Sequence, residues 1–187
     1  MNVLAIADKR PQIDITQVVA ENNVQLIITL GDLTPEDIIA LKDITNIPKI
    51  GVYGNHCSGT YMPALGIMNM HLQMWDYNGL RYGGFQGCVR YKENPQAIMC
   101  TQEEATEHMA TFQPVDIFIS HCPPYGINDE PDETAHQGFY ALRQYLDAYS
   151  PKVWLHGHTY PTAEEEVKQY KNTRIEYVAG YKLIQLP

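Results

Sequence analysis

The sequence predicts an α/β protein built on a parallel sheet, and three observations support that fold class. Strand-like apolar runs alternate with helical periods over the first third of the chain, an Asn78-Gly79 pair divides two later strand-like runs, and five apolar runs stop abruptly at carboxylate, amide or imidazole side chains.

Taken in order, "VLAIA" reads as a buried strand, "ITQVVAENN" as a short helix, "VQLIITL" as a second strand, "TPEDIIALKDI" as a second helix and "KIGVY" as a third strand. The second helix has Thr34 as N-cap and Pro35 at its first position, where a proline gives up no needed hydrogen bond. Glu36 and Asp37 follow in the first turn, at the positive end of the helix dipole. This βαβαβ order implies parallel strands, because a same-direction return needs a crossover long enough for a helix. In "MHLQMWDYNGLRYGGFQG" the Asn-Gly pair favours left-handed backbone at both turn positions, which predicts an antiparallel hairpin. "TQEEATEHMATF" opens with Thr101 and Glu104 at capping-box spacing and predicts a helix; "VDIFISH" is a buried strand ending at His121. "HQGFYALRQYLDAY" has helical spacing, with His136 and Gly138 at its start, and "KVWLHGH" is another strand ending in histidine. The tail "EEEVKQYKNTRIEYVAGYKLIQL" predicts a hairpin turning near Lys171-Asn172 and a last strand, with Glu164 to Glu166 as a solvated strand face.

No internal repeat, low-complexity segment or linker divides the chain, so a single domain over 1–187 is expected, large enough to bury a substantial core. With 44% hydrophobic and 19% charged residues the chain is too apolar to be disordered. A net charge of -9 disfavours general nucleic-acid binding, which depends on a broad cationic surface. Cys57, Cys88, Cys100 and Cys122 show no CxxC spacing, and no apolar run is long enough for a membrane helix or a leader. These features predict a reduced, cytoplasmic protein without a membrane partner.

The five strand ends carry the functional reading: "LAIAD" at Asp8, "LIITLGD" at Asp32, "GVYGNH" at Asn55 and His56, "IFISH" at His121, and "VWLHGH" at His156 and His158. Ligands of open α/β sheets bind at the carboxyl ends of strands, so these residues are expected to converge on one site. Carboxylate, amide oxygen and imidazole suit Mn, Fe or Zn, and a carboxylate such as Asp32 can bridge two ions. Gly31, Gly54 and Gly157 beside them allow close backbone approach.

In this order the motifs D-x-R, G-D, G-N-H, H-C-P-P and G-H-T resemble those of the calcineurin-like metallophosphoesterases from Asp8 to His158. The resemblance implies a four-layer αββα sandwich, two mixed β-sheets flanked by helices, and a dinuclear site of one or two divalent ions, Mn first, with Fe, Zn, Ni or Co as alternatives. It implies one metal on Asp32, Asn55, His121 and His156 and another on Asp8, Asp32 and His158. It implies a catalytic role for His56 toward the leaving group and for Asp32. Chain length and "SHCPPYG" resemble the small phosphodiesterases, so hydrolysis of a nucleotide-like or other small phosphodiester is expected.

The chain departs from the family where D-x-H becomes Asp8-x-Arg10. Arginine cannot coordinate a metal, since its guanidinium has no acceptor lone pair. Arg10 either grips substrate phosphate, pairs with Asp8, or points to solvent beside Lys9, and the Asp8 metal is expected to be the weaker one. This departure leaves open a catalytically weak or inactive interaction scaffold. A nuclease fits the family but not the acidic balance. His136 and Gly138 mark either a substrate-binding helix N-terminus or an ordinary helix start, and Asn55 can also touch substrate. His71 and His108 are read as structural, and Cys57 and Cys122 as buried small residues rather than ligands.

Overall fold

Val3, Ala5 and Ala7 turn to one side of the first strand and Leu4 and Ile6 to the other, and all five are fully buried. A strand that is apolar on both faces needs cover on both, and the computed structural model, which describes residues 1–187, provides it. In chain order the elements are β1 (Asn2–Ala7), α1 (Ile15–Glu21), β2 (Leu26–Thr29), a 3₁₀ segment (Pro35–Lys42), β3 (Lys49–Gly51), a 3₁₀ turn (Met62–Leu65), β4 (Met68–Asn69), β5 (Met74–Tyr77), β6 (Leu80–Phe85), β7 (Cys88–Val89), β8 (Met99–Cys100), α2 (Gln102–Met109), β9 (Ile117–Ser120), α3 (Tyr140–Tyr149), β10 (Val153–His156), β11 (Gln169–Tyr170), β12 (Thr173–Tyr177) and β13 (Gly180–Gln185).

One sheet has the order β13-β1-β2-β3-β4, parallel except for β13, which runs antiparallel to β1 with Leu4 opposite Leu183. The other has the order β11-β12-β10-β9-β6-β5, parallel in its centre with an antiparallel strand at each edge. Between the sheets lie Ala5, Ile28 and Ile50 from the first and Tyr82, Ile119 and Leu155 from the second. Outside the first sheet, Leu4, Ile6 and Ile27 pack on Ile15 and Val19 of α1 and on Ile38 and Leu41. Outside the second, Phe118 and Trp154 stack with ring centroids 4.1 Å apart beneath Leu142 and Tyr145 of α3 and Met109 of α2. The result is the expected sandwich of two mixed sheets flanked by helices.

Local chemistry explains most elements. Thr101 accepts from the Glu104 amide at 3.1 Å while Glu104 accepts from the Thr101 amide at 2.8 Å, closing the capping box of α2. The hairpin turns at Asn78 (φ 50) and Gly79 (φ 75), left-handed at both positions. The predicted second helix differs: Thr34 caps it, but it runs as 3₁₀ turns broken at Ile38, whose φ is -128. Ile38 and Ile39 stand at the break, where two successive β-branched side chains crowd an α-helical turn and Ile38 instead drops into the core. The helix predicted from His136 begins only at Tyr140, because Phe139 pairs with Pro124 and Gly138 lies flat against the chain, where a Cβ would meet Tyr125 N at 2.5 Å. Glu164 to Glu166 lie at a turn rather than on a strand, with Glu165 held by the Thr162 amide and hydroxyl. No helix is long and apolar enough to cross a membrane, and all four cysteines are free.

Candidate metal centre

The carboxyl ends of β1, β2 and β3 and those of β9 and β10 come together at one end of the sandwich. The chain must leave each strand sharply there, and it does so at unusual cost: Asp8 (φ 60), Asp32 (φ 51) and His158 (φ 71) are left-handed without being glycine. Such backbone persists only where surrounding contacts hold it. The contacts are visible. Both Asp8 oxygens accept from the His158 amide, at 3.1 and 2.9 Å, joining the two sheets. Asp32 Oδ1 accepts from the His56 amide at 2.8 Å. Two glycines let these carboxylates in: a Cβ on Gly54 would stand 2.2 Å from Asp32 Oδ1, and one on Gly157 2.6 Å from Asp8 Oδ2.

The centre is fixed by two backbone carbonyls. His121 Nδ1 lies 2.7 Å from the Leu30 carbonyl and His158 Nε2 lies 2.8 Å from the Ala135 carbonyl. A carbonyl only accepts, so those two nitrogens carry the protons and leave His121 Nε2 and His158 Nδ1 as lone pairs. The two lone pairs face one another at 3.1 Å, with Asn55 Oδ1 3.0 Å and Asp32 Oδ2 3.4 Å from His121 Nε2. Two imidazole nitrogens, an amide oxygen and a carboxylate oxygen therefore converge on one point. The ligating atoms of Asp32, His121 and His158 lie within 4.8 Å of one another. This is a cradle for a cation, and its mixed oxygen and nitrogen donors fit a divalent transition ion.

Burial and the two carboxylates set the proton affinities here. Burial alone would lower His121, but Asp32 and Asp8 beside it outweigh burial and raise it. Burial would raise Asp32, but the charge of His121 beside it and the hydrogen bond from the His56 amide hold it at about 2. Asp8, its carboxylate only 2% exposed, is pushed up by burial to about 6. His156 and His158 are pushed down to about 4 and about 3, mainly by burial, which keeps both neutral at neutral pH.

The predicted residues differ in what holds them. His158 faces His121, whereas His156 is fully buried with both ring nitrogens engaged. Asn128 Oδ1 accepts from the Val167 amide, so its Nδ2 donates to His156 Nε2 at 3.0 Å, and His156 Nδ1 donates to the Gly157 carbonyl at 3.1 Å. The Nε2 lone pair of His156 is thus engaged by Asn128, and nothing in the sequence distinguished it from His158 two residues on. Asp8 accepts from the His158 amide and lies 3.9 Å from His121 Nδ1, the nitrogen that faces the Leu30 carbonyl. His56 projects into solvent beside the centre, and Arg10 is exposed with no ion pair to Asp8. Gly138 offers no anion site, because its amide already donates to Asp129 Oδ2 at 2.9 Å; His136 meets Glu130 at 3.0 Å and lies edge-on to His158. Cys57 and Cys122 are buried thiols whose pKa burial raises, and His71 accepts from the Gln86 amide away from the centre. Sequence reasoning missed Asn128 and Ala135, which orient the two histidines from 28 and 23 residues away and carry no local signal of that role.

Two clefts lie near these loops, and one of them reaches the centre through Asn55. One, of about 300 Å³, runs past Asn55 and His56; the other, of about 510 Å³, runs past Asn128 and Tyr160.

A family model described as calcineurin-like phosphoesterase matches residues 11–161, beginning just after Asp8 and Arg10. One solved crystal structure aligns with 98% of this chain and 94% of its own at 15% identity, with a TM-score of 0.68. The crystal structure of TT1561 of Thermus thermophilus aligns over 83% of this chain and 80% of its own at 15% identity, TM-score 0.58. A structure described as a novel phosphatase from Mycoplasma pneumoniae aligns over 96% of this chain and 72% of its own at 13% identity, TM-score 0.57. At these identities the likeness is one of fold. No curated protein matches the chain by sequence.

Proposed function

The chain belongs to the calcineurin-like phosphoesterases, divalent-metal-dependent phosphoester hydrolases, and from that premise we propose that it is a phosphodiesterase acting on a nucleotide-like or other small phosphodiester. The observation that carries the metal is the convergence of ligand atoms from Asp32, Asn55, His121 and His158 on one point. The cleft of about 300 Å³ lined by Asn55 and His56 supports a diester over a monoester, since it offers room for a second ester arm beside those residues.

When bound, a divalent ion, Mn first among the candidates, supplies Lewis-acid polarisation of the phosphoryl group and an acidified water as nucleophile. The chain supplies the rest. Leu30 and Ala135 hold the imidazoles in the ligating tautomer, and the His56 amide holds Asp32 in place. The His56 side chain, free in solvent at the mouth of the centre, is the donor that meets charge on the leaving oxygen. Arg10 is the nearest arginine in sequence to the centre and is free to grip a phosphoryl oxygen.

A single ion position is the reading favoured by the grouping of Asp32, His121 and His158 without Asp8, which sits on the His158 amide instead. The same feature favours the alternative of a weakly active or inactive scaffold. Metal content and hydrolysis of simple aryl phosphodiesters by Mn-supplemented protein test both: one tightly bound ion with diester cleavage is expected. An ion bound normally without cleavage of any diester or monoester points to the scaffold, and no bindable ion removes the metal proposal itself.

A further inference from the structure

The two clefts differ in charge. The wider one is lined by Asp129, Glu130 and Glu165 and repels a negative group. The other is lined by no carboxylate in a chain of net charge -9, and holds Lys92, Asn94, Gln96 and Ser58 beside His56. We propose that this second cleft is a specificity site for the leaving arm of the substrate, and that Lys92 with Asn94 and Gln96 selects an arm carrying a negative charge and hydrogen-bonding groups. The inference rests on the phosphoester reading above, since it is His56 that sets the cleft on the leaving-group side.

The polar groups there are available. The Lys92 ammonium lies 4.8 Å from the centroid of the Tyr91 ring and makes no ion pair with any carboxylate. Asn94 uses its carboxamide oxygen to take the Gln96 amide at 3.1 Å, which leaves its NH2 as a donor, and the Gln96 side chain has no partner in the protein. The loop carrying these residues is rooted firmly at both ends. At its start the Gly87 amide donates to the Tyr53 carbonyl at 2.8 Å, on the strand extension that leads to Asn55, and Arg90 meets Glu104 at 2.9 Å. At its end β7 and β8 pair, with the Arg90 amide donating to the Cys100 carbonyl at 2.9 Å. Lys92 is therefore held over the same cleft that Asn55 and His56 open into, and no carboxylate there cancels its charge.

The test uses aryl phosphodiesters whose leaving phenol bears either a carboxylate or a quaternary ammonium, each assayed with the metal-loaded wild type and with Lys92→Ala. Differences in intrinsic reactivity cancel when each ester is compared between the two proteins. Lys92→Ala is expected to lower kcat/KM for the carboxylate ester about fivefold relative to the ammonium ester, the upper end for one exposed charge pair, and Lys92→Arg to restore the ratio. Binding of the matching phosphonates, which are not cleaved, is expected to change in the same proportion. Equal responses of the two charge types to Lys92→Ala, in turnover or in phosphonate binding, would overturn the proposal. If phosphonates bind with the Lys92-dependent preference but no ester is cleaved, the specificity site stands and the hydrolase reading falls.

Discussion

A single pair of residues, His156 and His158, shows how much one hydrogen bond decides. They leave the same strand two positions apart, yet only His158 Nδ1 is left as a lone pair toward His121 and Asp32. His158→Ala is therefore expected to reduce metal affinity beyond the roughly 100-fold that marks loss of an outer partner. His156→Gln is expected to keep the full metal stoichiometry, since His156 points its nitrogens at Asn128 and Gly157. Metal analysis of the two purified variants checks this, and metal loss from His156→Gln alone would reverse the assignment. Asn128→Ala leaves buried groups on His156 and Val167 unpaired and is expected to cost about 1–3 kcal/mol in denaturant unfolding.

At the scale of elements, the strands and helices followed local pattern closely. The capping box of α2, the Asn78-Gly79 hairpin and the Lys171-Asn172 turn all stand where residue chemistry put them. Thr101→Ala is expected to cost about 1 kcal/mol of stability through loss of its cap, measured by chemical denaturation. Gly54→Ala is a different kind of change: the loop itself must move by more than a bond's tolerance, because Asp32 Oδ1 and the Asp32 amide stand 2.2 and 2.5 Å from the new Cβ. Loss of metal binding with the secondary structure intact in circular dichroism is the expected result. What local pattern did not reveal were the break at Ile38 and the late start of α3, since both follow from contacts made by other parts of the chain. Ile38 is drawn into the core under β1 and β2, and Gly138 is pressed onto Pro124 and Tyr125.

For the whole molecule the strand-end charges couple the metal, pH and stability. His156 and His158 have folded pKa values well below the ordinary 6.5, so their contribution is present above pH 6.5 and is lost as pH falls through that value toward 4 and 3. Asp8 acts in the opposite sense: its folded value of about 6 exceeds the ordinary 3.8, so its contribution is lost as pH rises from 3.8 to 6. The two histidines together outweigh the one carboxyl, and the metal-free protein is expected to lose thermal stability between pH 6.5 and 4. A flat or rising melting temperature over that interval would contradict the neutral histidines. An ion at 100 times its Kd adds about 2.7 kcal/mol, which for a chain of this size raises the melting temperature by roughly 5–10 °C. Addition of a chelator is expected to remove that increment.

The amino-acid order by itself determined the alternation of strands and helices, the chemistry at five strand ends and the family to which those motifs belong, because each is written in neighbouring residues: apolar period, cap, turn pair, terminal side chain. The tertiary structure alone decided which of those side chains face one another. An imidazole becomes a ligand only when its other nitrogen has somewhere to put its proton. For His121 and His158 that place is a carbonyl at Leu30 or Ala135, while for His156 both nitrogens are spent on Asn128 and Gly157. Partners 91, 23 and 28 residues away are brought within 3.0 Å by the meeting of two sheets at Leu30 and by the long loop after β9 at Ala135 and Asn128, and no local pattern along the chain records those meetings.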